Sequence, residues 1–205
     1  LDFGAKTSSE FPSQKKIKGT KIPTLEEVIL EIKNSKHPRA SNIRLNIELK
    51  RDMRSPHLSL SAQEIVVKVL DIIHKHNFTH RVQYSSFDPE ILILLRNKEP
   101  DSILSCLFSQ EILNFISTNL NKPGLDFIIS FAKKNKINIL SPDHTLIKDQ
   151  TQISEIKKSG FKVVVWTVND SDRCLELYKM GVDGIITDTP QKIVSLFNNS
   201  FPIKG

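Results

Sequence analysis

Lys162 to Pro190, KVVVWTVNDSDRCLELYKMGVDGIITDTP, decides the fold. The apolar run Val163-Val164-Val165 rises to a polar tip at Trp166-Thr167-Val168-Asn169-Asp170, where a helix begins. A second short apolar run, Gly184-Ile185-Ile186, then ends at Thr187-Asp188 before Pro190. A strand, a helix and a second strand, both strands finishing in polar residues on the same side, make the repeating unit of an α/β barrel. Such barrels gather their functional residues at the carboxyl-terminal ends of their strands.

The same alternation extends toward the amino terminus. Strands are predicted at 43–49, 82–87, 103–108, 137–140, 162–168 and 184–187, with helices between them and one after Pro190. Thr24 with Glu27 and Ser61 with Glu64 carry the capping-box spacing of helix starts. Residues 1–22 show no sustained period. Strands alternating with helices call for a parallel sheet with right-handed crossovers. The spacing is about 28 residues per unit, that of a (β/α)8 barrel, which needs eight strands in roughly 250 residues. The expected fold is therefore an α/β, (β/α)8 TIM barrel lacking about its first two strands, with residues 1–205 forming one amino-terminally incomplete domain. An open doubly wound sheet of six strands fits the same pattern, although no glycine-rich phosphate loop follows any strand.

Composition narrows the function classes. With 205 residues, 39% of them hydrophobic, the chain has room for a sizeable core. No apolar run approaches the roughly 18 residues of a spanning helix, so no integral membrane segment is expected. The net charge of +6 favours anionic ligands. The basic clusters at Lys15-Lys16-Ile17-Lys18 and Lys133-Lys134-Asn135-Lys136 lack interleaved aromatics, which argues against nucleic acid as a partner. Cys106 and Cys174 have no metal-ligand spacing and read as buried free thiols. They suit a cytoplasmic setting, with a periplasmic or secreted one left open.

Strand 43–49 carries the sharpest anomaly. Ile43, Leu45, Ile47 and Leu49 share one face, and Arg44, Asn46, Glu48 and Lys50 the other. Buried parallel strands are normally apolar on both faces. Glu48 and Lys50 project to one side about 7 Å apart, a spacing that suits a carboxylate holding a divalent cation beside an ammonium gripping a phosphate. An internal charge network, or an edge strand facing water, explains the pattern equally well. Ser85-Ser86-Phe87-Asp88 offers hydroxyls at a second strand end, with Asp88 before Pro89 placed to cap a helix. Trp166, the sole tryptophan, stands where it could wall a pocket. Asp183 belongs to the turn entering the last strand, away from that rim. None of the six histidines has zinc spacing; His57 and His144 follow strands, whereas His80 precedes one.

Five segments taken together resemble the glycerophosphodiester phosphodiesterase family: Ile22-Pro-Thr-Leu-Glu-Glu-Val28, Asn46-Ile-Glu-Leu-Lys50, Ser85-Ser-Phe-Asp88, Val165-Trp-Thr-Val-Asn169 and Gly181-Val-Asp-Gly-Ile-Ile-Thr-Asp-Thr-Pro190. They occur in the family's order, and Leu1-Asp2-Phe3-Gly4 resembles the segment just before the first. The resemblance implies a barrel hydrolysing glycerophosphodiesters to sn-glycerol 3-phosphate and an alcohol in glycerophospholipid breakdown, using Mg2+ or Ca2+. It implies Glu48 as a metal-binding carboxylate, Lys50 as the phosphate contact, and Trp166 and Phe87 as substrate-binding walls. The family's HRG motif, E-x-D pair and later His-Asp belong upstream of the segment matching Leu1, and His80-Arg81-Val82 is not HRG. The general acid and base histidines are thus expected outside this chain, and the 205 residues alone are expected to be inactive. A phospholipase D or sphingomyelinase D-like enzyme, or a catalytically dead barrel binding phosphate ligands, are the alternatives.

Overall fold

A computed structural model describes residues 2–200 except 10, 13, 53 and 54. Leu1, the first residue of the opening match, lies outside them. The chain forms two compact units. One comprises the residues up to Arg44 together with Val69–Arg81; the other comprises Leu45–Lys68 and the chain from Val82 onward.

The second unit holds all six strands: β1 (Leu45–Glu48), β2 (Val82–Ser86), β3 (Ile103–Phe108), β4 (Ile139–Pro142), β5 (Lys162–Val165) and β6 (Gly184–Ile185). They form one parallel sheet in the order β1-β2-β3-β4-β5-β6. Each new strand adds on the same side, as in a singly wound barrel wall. A doubly wound sheet reverses direction at a switch point. The monotonic order removes that alternative.

The helices of the unit follow from their sequence signals. Helix α2 (Ala62–Lys75) begins here, and its entry is closed reciprocally: Ser61 Oγ accepts from Glu64 N at 3.2 Å while Glu64 Oε2 accepts from Ser61 N at 2.9 Å. Then come α3 (Pro89–Lys98), α4 (Gln110–Leu120), α5 (Gly124–Lys134), α6 (Gln150–Lys158), α7 (Ser171–Met180) and α8 (Pro190–Ser200). Helix α7 ends at Gly181, whose φ of +93° is open to glycine without a Cβ clash. Helix α4 is the one helix the sequence pattern did not yield. Ile112, Leu113 and Ile116 carry helical spacing behind Ser109.

The sheet has two unlike faces. Leu104, Cys106, Phe108, Leu140, Val163 and Val165 point to the helix side and are buried, from 0% to 5% exposed. By alternation and register, Asn46, Glu48, Gln83, Ser85, Ser105, Ser141 and Trp166 occupy the other face. At the centre of that face serines alternate with the buried apolar residues Leu107 and Ile139. Ser85, Ser105 and Ser141 are buried, and the Ser105 hydroxyl donates to Ser141 Oγ at 3.0 Å. Beneath β2, Tyr84 donates from its hydroxyl to Glu99 Oε2 at 3.2 Å on the helix side.

The first unit contains α1 (Leu25–Asn34), the later turns of α2, and three short 3-10 turns. Thr24 and Glu27 form the expected capping box, with Glu27 N donating to Thr24 Oγ1 at 3.2 Å. The ends of the opening segment are tied together: Phe3 N donates to Thr20 O at 3.0 Å and Ile17 N to Gly4 O at 2.9 Å. A Cβ on Gly4 would lie 1.9 Å from Ile17 O, so no other residue fits there without a backbone shift. Arg81 donates to the carbonyl oxygens of Ala40 and Ile43 and packs over the Phe78 ring. That is a structural task, in keeping with an unrelated His-Arg pair. His76 and Lys75 both meet Glu26 Oε1 at 2.7 Å. Among the described residues no helix is long and apolar enough to cross a membrane.

Candidate active site

The carboxyl-terminal ends of β1, β2, β4 and β5 build the candidate site. Glu48 is the last residue of β1 and pairs in register with Ser85, so both side chains leave the same face. Leu49 N donates to Ser85 O at 2.9 Å, carrying the ladder one residue further and returning Lys50 to the face of Glu48. Leu49 is buried on the helix side, whereas Glu48 and Lys50 are exposed. The alternation seen in the sequence is therefore a boundary: apolar toward the helices, charged toward the open inner face.

Phe87 follows β2 and Trp166 follows β5. Their rings meet edge to face, centroids 5.3 Å apart at 89°. The strands stand three places apart, so rings rising from a flat sheet would be separated by about 14 Å at the usual strand spacing. The contact requires a sheet strongly curled about the inner face, a partial barrel in this unit. Both rings are half-buried. The indole is held from behind: Nε1 donates to Ser141 O at 2.8 Å, and Trp166 N to Pro142 O at 3.3 Å. His144 N donates to Trp166 O at 2.8 Å, completing a bridge between the ends of β4 and β5.

The four residues singled out in the sequence thus share one face and one end of the sheet. Other candidates do not join them. Asp183 accepts from Val163 N at 2.8 Å and pairs with Lys157, tying the amino end of β5 to the turn before β6. His80 lies in the turn before β2, at the amino end of that strand. Asp188 accepts from Asn169 Nδ2 at 2.9 Å, and Asn169 Oδ1 accepts from Thr187 Oγ1 and Asp188 N. Asn169 therefore staples the exits of β5 and β6. His57 is exposed in the turn Pro56–Leu58 after β1.

Sequence reasoning missed Arg51. Its guanidinium reaches Asp88 Oδ2 at 2.6 Å and Glu90 Oε2 at 2.7 Å. Asp88 also accepts from Glu90 N at 2.9 Å, the N-cap role expected of it. Burial opposes the Arg51 charge, but the hydrogen bonds it donates to Glu90 and Asp88, with their negative charges, outweigh it and push its pKa up. A carboxylate before a helix-starting proline was visible in the sequence; its partner 37 residues away was not.

The described residues do not by themselves compose a cation site. Among the described residues, no three His, Cys, Asp or Glu side chains are grouped to hold a metal ion. Glu48 offers one carboxylate, and a divalent cation takes several oxygen ligands.

Comparison with known proteins places the fold and the motifs together. The Glycerophosphoryl diester phosphodiesterase family matches residues 2–192. The chain is 28% identical over 196 residues to a glycerophosphodiester phosphodiesterase of Caldanaerobacter subterraneus, covering 96% of this chain and 68% of that protein. A solved structure from Silicibacter pomeroyi bearing the family name superposes with a TM-score of 0.76 at 23% identity, over 93% of this chain and 61% of the other. A phosphodiesterase from Oleispira antarctica, solved in complex with the product sn-glycerol-3-phosphate, gives a TM-score of 0.65 at 24% identity, over 86% and 62%. The chain thus spans somewhat under two thirds of these two solved chains.

Proposed function

The chain belongs to the glycerophosphoryl diester phosphodiesterase family, and from that membership we propose that it serves the hydrolysis of glycerophosphodiesters to sn-glycerol 3-phosphate and an alcohol, in glycerophospholipid breakdown. One observation carries the reading: Glu48, Lys50, Phe87 and Trp166 lie on one face at the carboxyl ends of their strands. In a (β/α) barrel that is where substrates bind.

In this reading the Lys50 ammonium grips the phosphate. The edge-to-face pair Phe87–Trp166 walls the three-carbon glycerol and keeps water off one side of it. Glu48 is the residue that would give one carboxylate oxygen to a divalent cation, Mg2+ or Ca2+, and the chemistry such an ion would supply is Lewis-acid polarisation of the phosphoryl group. In the net reaction an oxygen of water joins phosphorus, the bond from phosphorus to the alcohol oxygen breaks, and a proton of water ends on the departing alcohol. The family's HRG motif, expected to supply imidazoles that move that proton, has no match in these 205 residues. We propose accordingly that the 205 residues bind the product but do not turn over substrate, being the substrate-gripping part of a barrel with about two further strands.

Incubation with glycerophosphocholine tests this, read by enzymatic detection of sn-glycerol 3-phosphate with and without Mg2+ or Ca2+. The 205-residue chain is expected to release none while still binding sn-glycerol 3-phosphate. In a longer polypeptide containing this segment, Glu48→Ala is expected to abolish the cation-dependent release. Full activity in that variant would refute the role given to Glu48.

A further inference from the structure

The backbone that presents Lys50 and Phe87 is tied into a closed hydrogen-bond circuit on the opposite side. Leu49 O accepts from the Ser86 hydroxyl at 2.7 Å, and Ser86 Oγ accepts from Asp88 N at 3.0 Å. The Asp88 carboxylate accepts from Arg51 Nε at 2.8 Å and pairs with Nη2 at 2.6 Å, and Arg51 follows Leu49 by two residues. The circuit therefore runs Leu49, Ser86, Asp88, Arg51. It skips one residue on each strand exit, and the two skipped residues are Lys50 and Phe87. Alternation sends the tied residues toward the helices and the skipped ones toward the inner face.

The ion pair in this circuit is well covered. The Asp88 side chain is 4% exposed and that of Arg51 16%. Arg51 Nε and Nη2 both converge on Asp88 Oδ2, while Oδ1 is taken by Glu90 N, so each carboxylate oxygen has its own fixed partner. Among the described residues no comparable contact holds the Lys50 side chain, which is exposed. The place of its ammonium is set by where its backbone is held, and the same fixture sets the Phe87 ring against Trp166.

We propose that Arg51 and Asp88 are positioning residues: their ion pair locks the two strand exits so that Lys50 and the Phe87–Trp166 wall stand at a fixed separation, the one that a phosphate joined to a glycerol requires. The ligand class rests on the function proposed above; the mechanical claim does not. Arg51 touches no substrate and acts through its neighbours.

Two readouts separate these layers. The first needs no ligand. Trp166 is the sole tryptophan, so its indole N–H gives a single 1H–15N resonance. Arg51→Met and Asp88→Asn are expected to shift or broaden it, while the dispersed backbone spectrum persists. Asn still caps α3 through its side-chain oxygen, so Asp88→Asn decides the matter if Arg51→Met unfolds the unit. Arg51→Lys, which keeps the charge without the planar fork, is expected to restore the resonance in part. The second readout is titration with sn-glycerol 3-phosphate. Arg51→Met is expected to weaken binding about tenfold in the native background and markedly less in a Lys50→Met background, where only the wall remains to be displaced, the mark of coupled residues.

An unchanged indole resonance in both variants would overturn the proposal. So would a loss of affinity of equal size with and without Lys50, since general weakening of the fold acts in both backgrounds. Should the native chain fail to bind sn-glycerol 3-phosphate, the functional reading falls, and the indole resonance still decides whether Arg51 and Asp88 position the wall.

Discussion

Replacing Lys50 with methionine isolates the charge placed at the rim of β1. Methionine keeps an unbranched side chain of similar reach, and Lys50 is exposed, so the cost to folding is small. The magnitude follows from that exposure. Two unit charges about 4 Å apart in a water-like medium attract by about 1 kcal/mol. A phosphomonoester dianion doubles this to about 2 kcal/mol, or roughly thirtyfold in affinity. A buried lysine would give several times more, so the open setting of Lys50 predicts a moderate loss.

Trp166 supplies the assay, being the sole tryptophan, half-buried and in contact with Phe87 on the same face. Its fluorescence is followed while sn-glycerol 3-phosphate is added to native chain and variant. Salt sharpens the test, because screening shortens from about 30 Å at 0.01 M to about 3 Å at 1 M ionic strength. The gap between native and Lys50→Met is expected to narrow as salt rises. Equal affinity of the two proteins, or a gap that ignores salt, would refute the placing of the phosphate at Lys50. So would the absence of any saturable change in the native chain.

Three further outcomes follow from local chemistry. Burial pushes the Tyr84 hydroxyl well above the ordinary tyrosine range, the charge of Glu99 and their hydrogen bond adding to it. The unfolded chain releases that proton near pH 10, so the stabilisation is whole below pH 10 and drains as pH rises toward the folded value. Relative to Tyr84→Phe, the native chain should lose about 1.4 kcal/mol per pH unit above pH 10 in urea unfolding curves; parallel curves would exclude a buried Tyr84. Burial likewise pushes the Cys106 thiol up to about 12 and raises that of Cys174. Neither should react with a thiol-specific disulfide reagent at pH 8 until urea is added, and rapid native labelling of either contradicts the packing. Gly4→Ala forces a methyl against Ile17 O; a cost of roughly 1–3 kcal/mol in local stability should appear as faster proteolysis between residues 2 and 20, and unaltered cleavage would argue against the tied ends.

Alternating or short apolar segments between helical stretches located all six strands to within two or three residues. The one omission among the helices was α4, although Ile112, Leu113 and Ile116 carry the helical spacing. Glu48 and Lys50 were legible as a pair because the two-residue period of a strand is a local property. Trp166 and Phe87 were each legible as strand-end aromatics, but nothing in the chain order announces that they touch. The Asp88 cap could be seen in Asp-Pro; its bond to Arg51 could not, since an ion pair across 37 positions leaves no periodic trace.

What the sequence by itself determined is the alternating α/β order, the parallel sheet that such an order demands, and the two charged residues on the inner face of β1. These depend on short-range backbone geometry and on which side chains water rejects. Tertiary structure alone decided between a barrel wall and a doubly wound sheet, through the monotonic strand order, and brought Phe87 against Trp166 by curling the sheet. It also closed the circuit from Leu49 through Ser86 and Asp88 to Arg51. Contacts of that kind arise only when distant segments share a surface, and where two segments meet is a property of the packed chain, not of either segment.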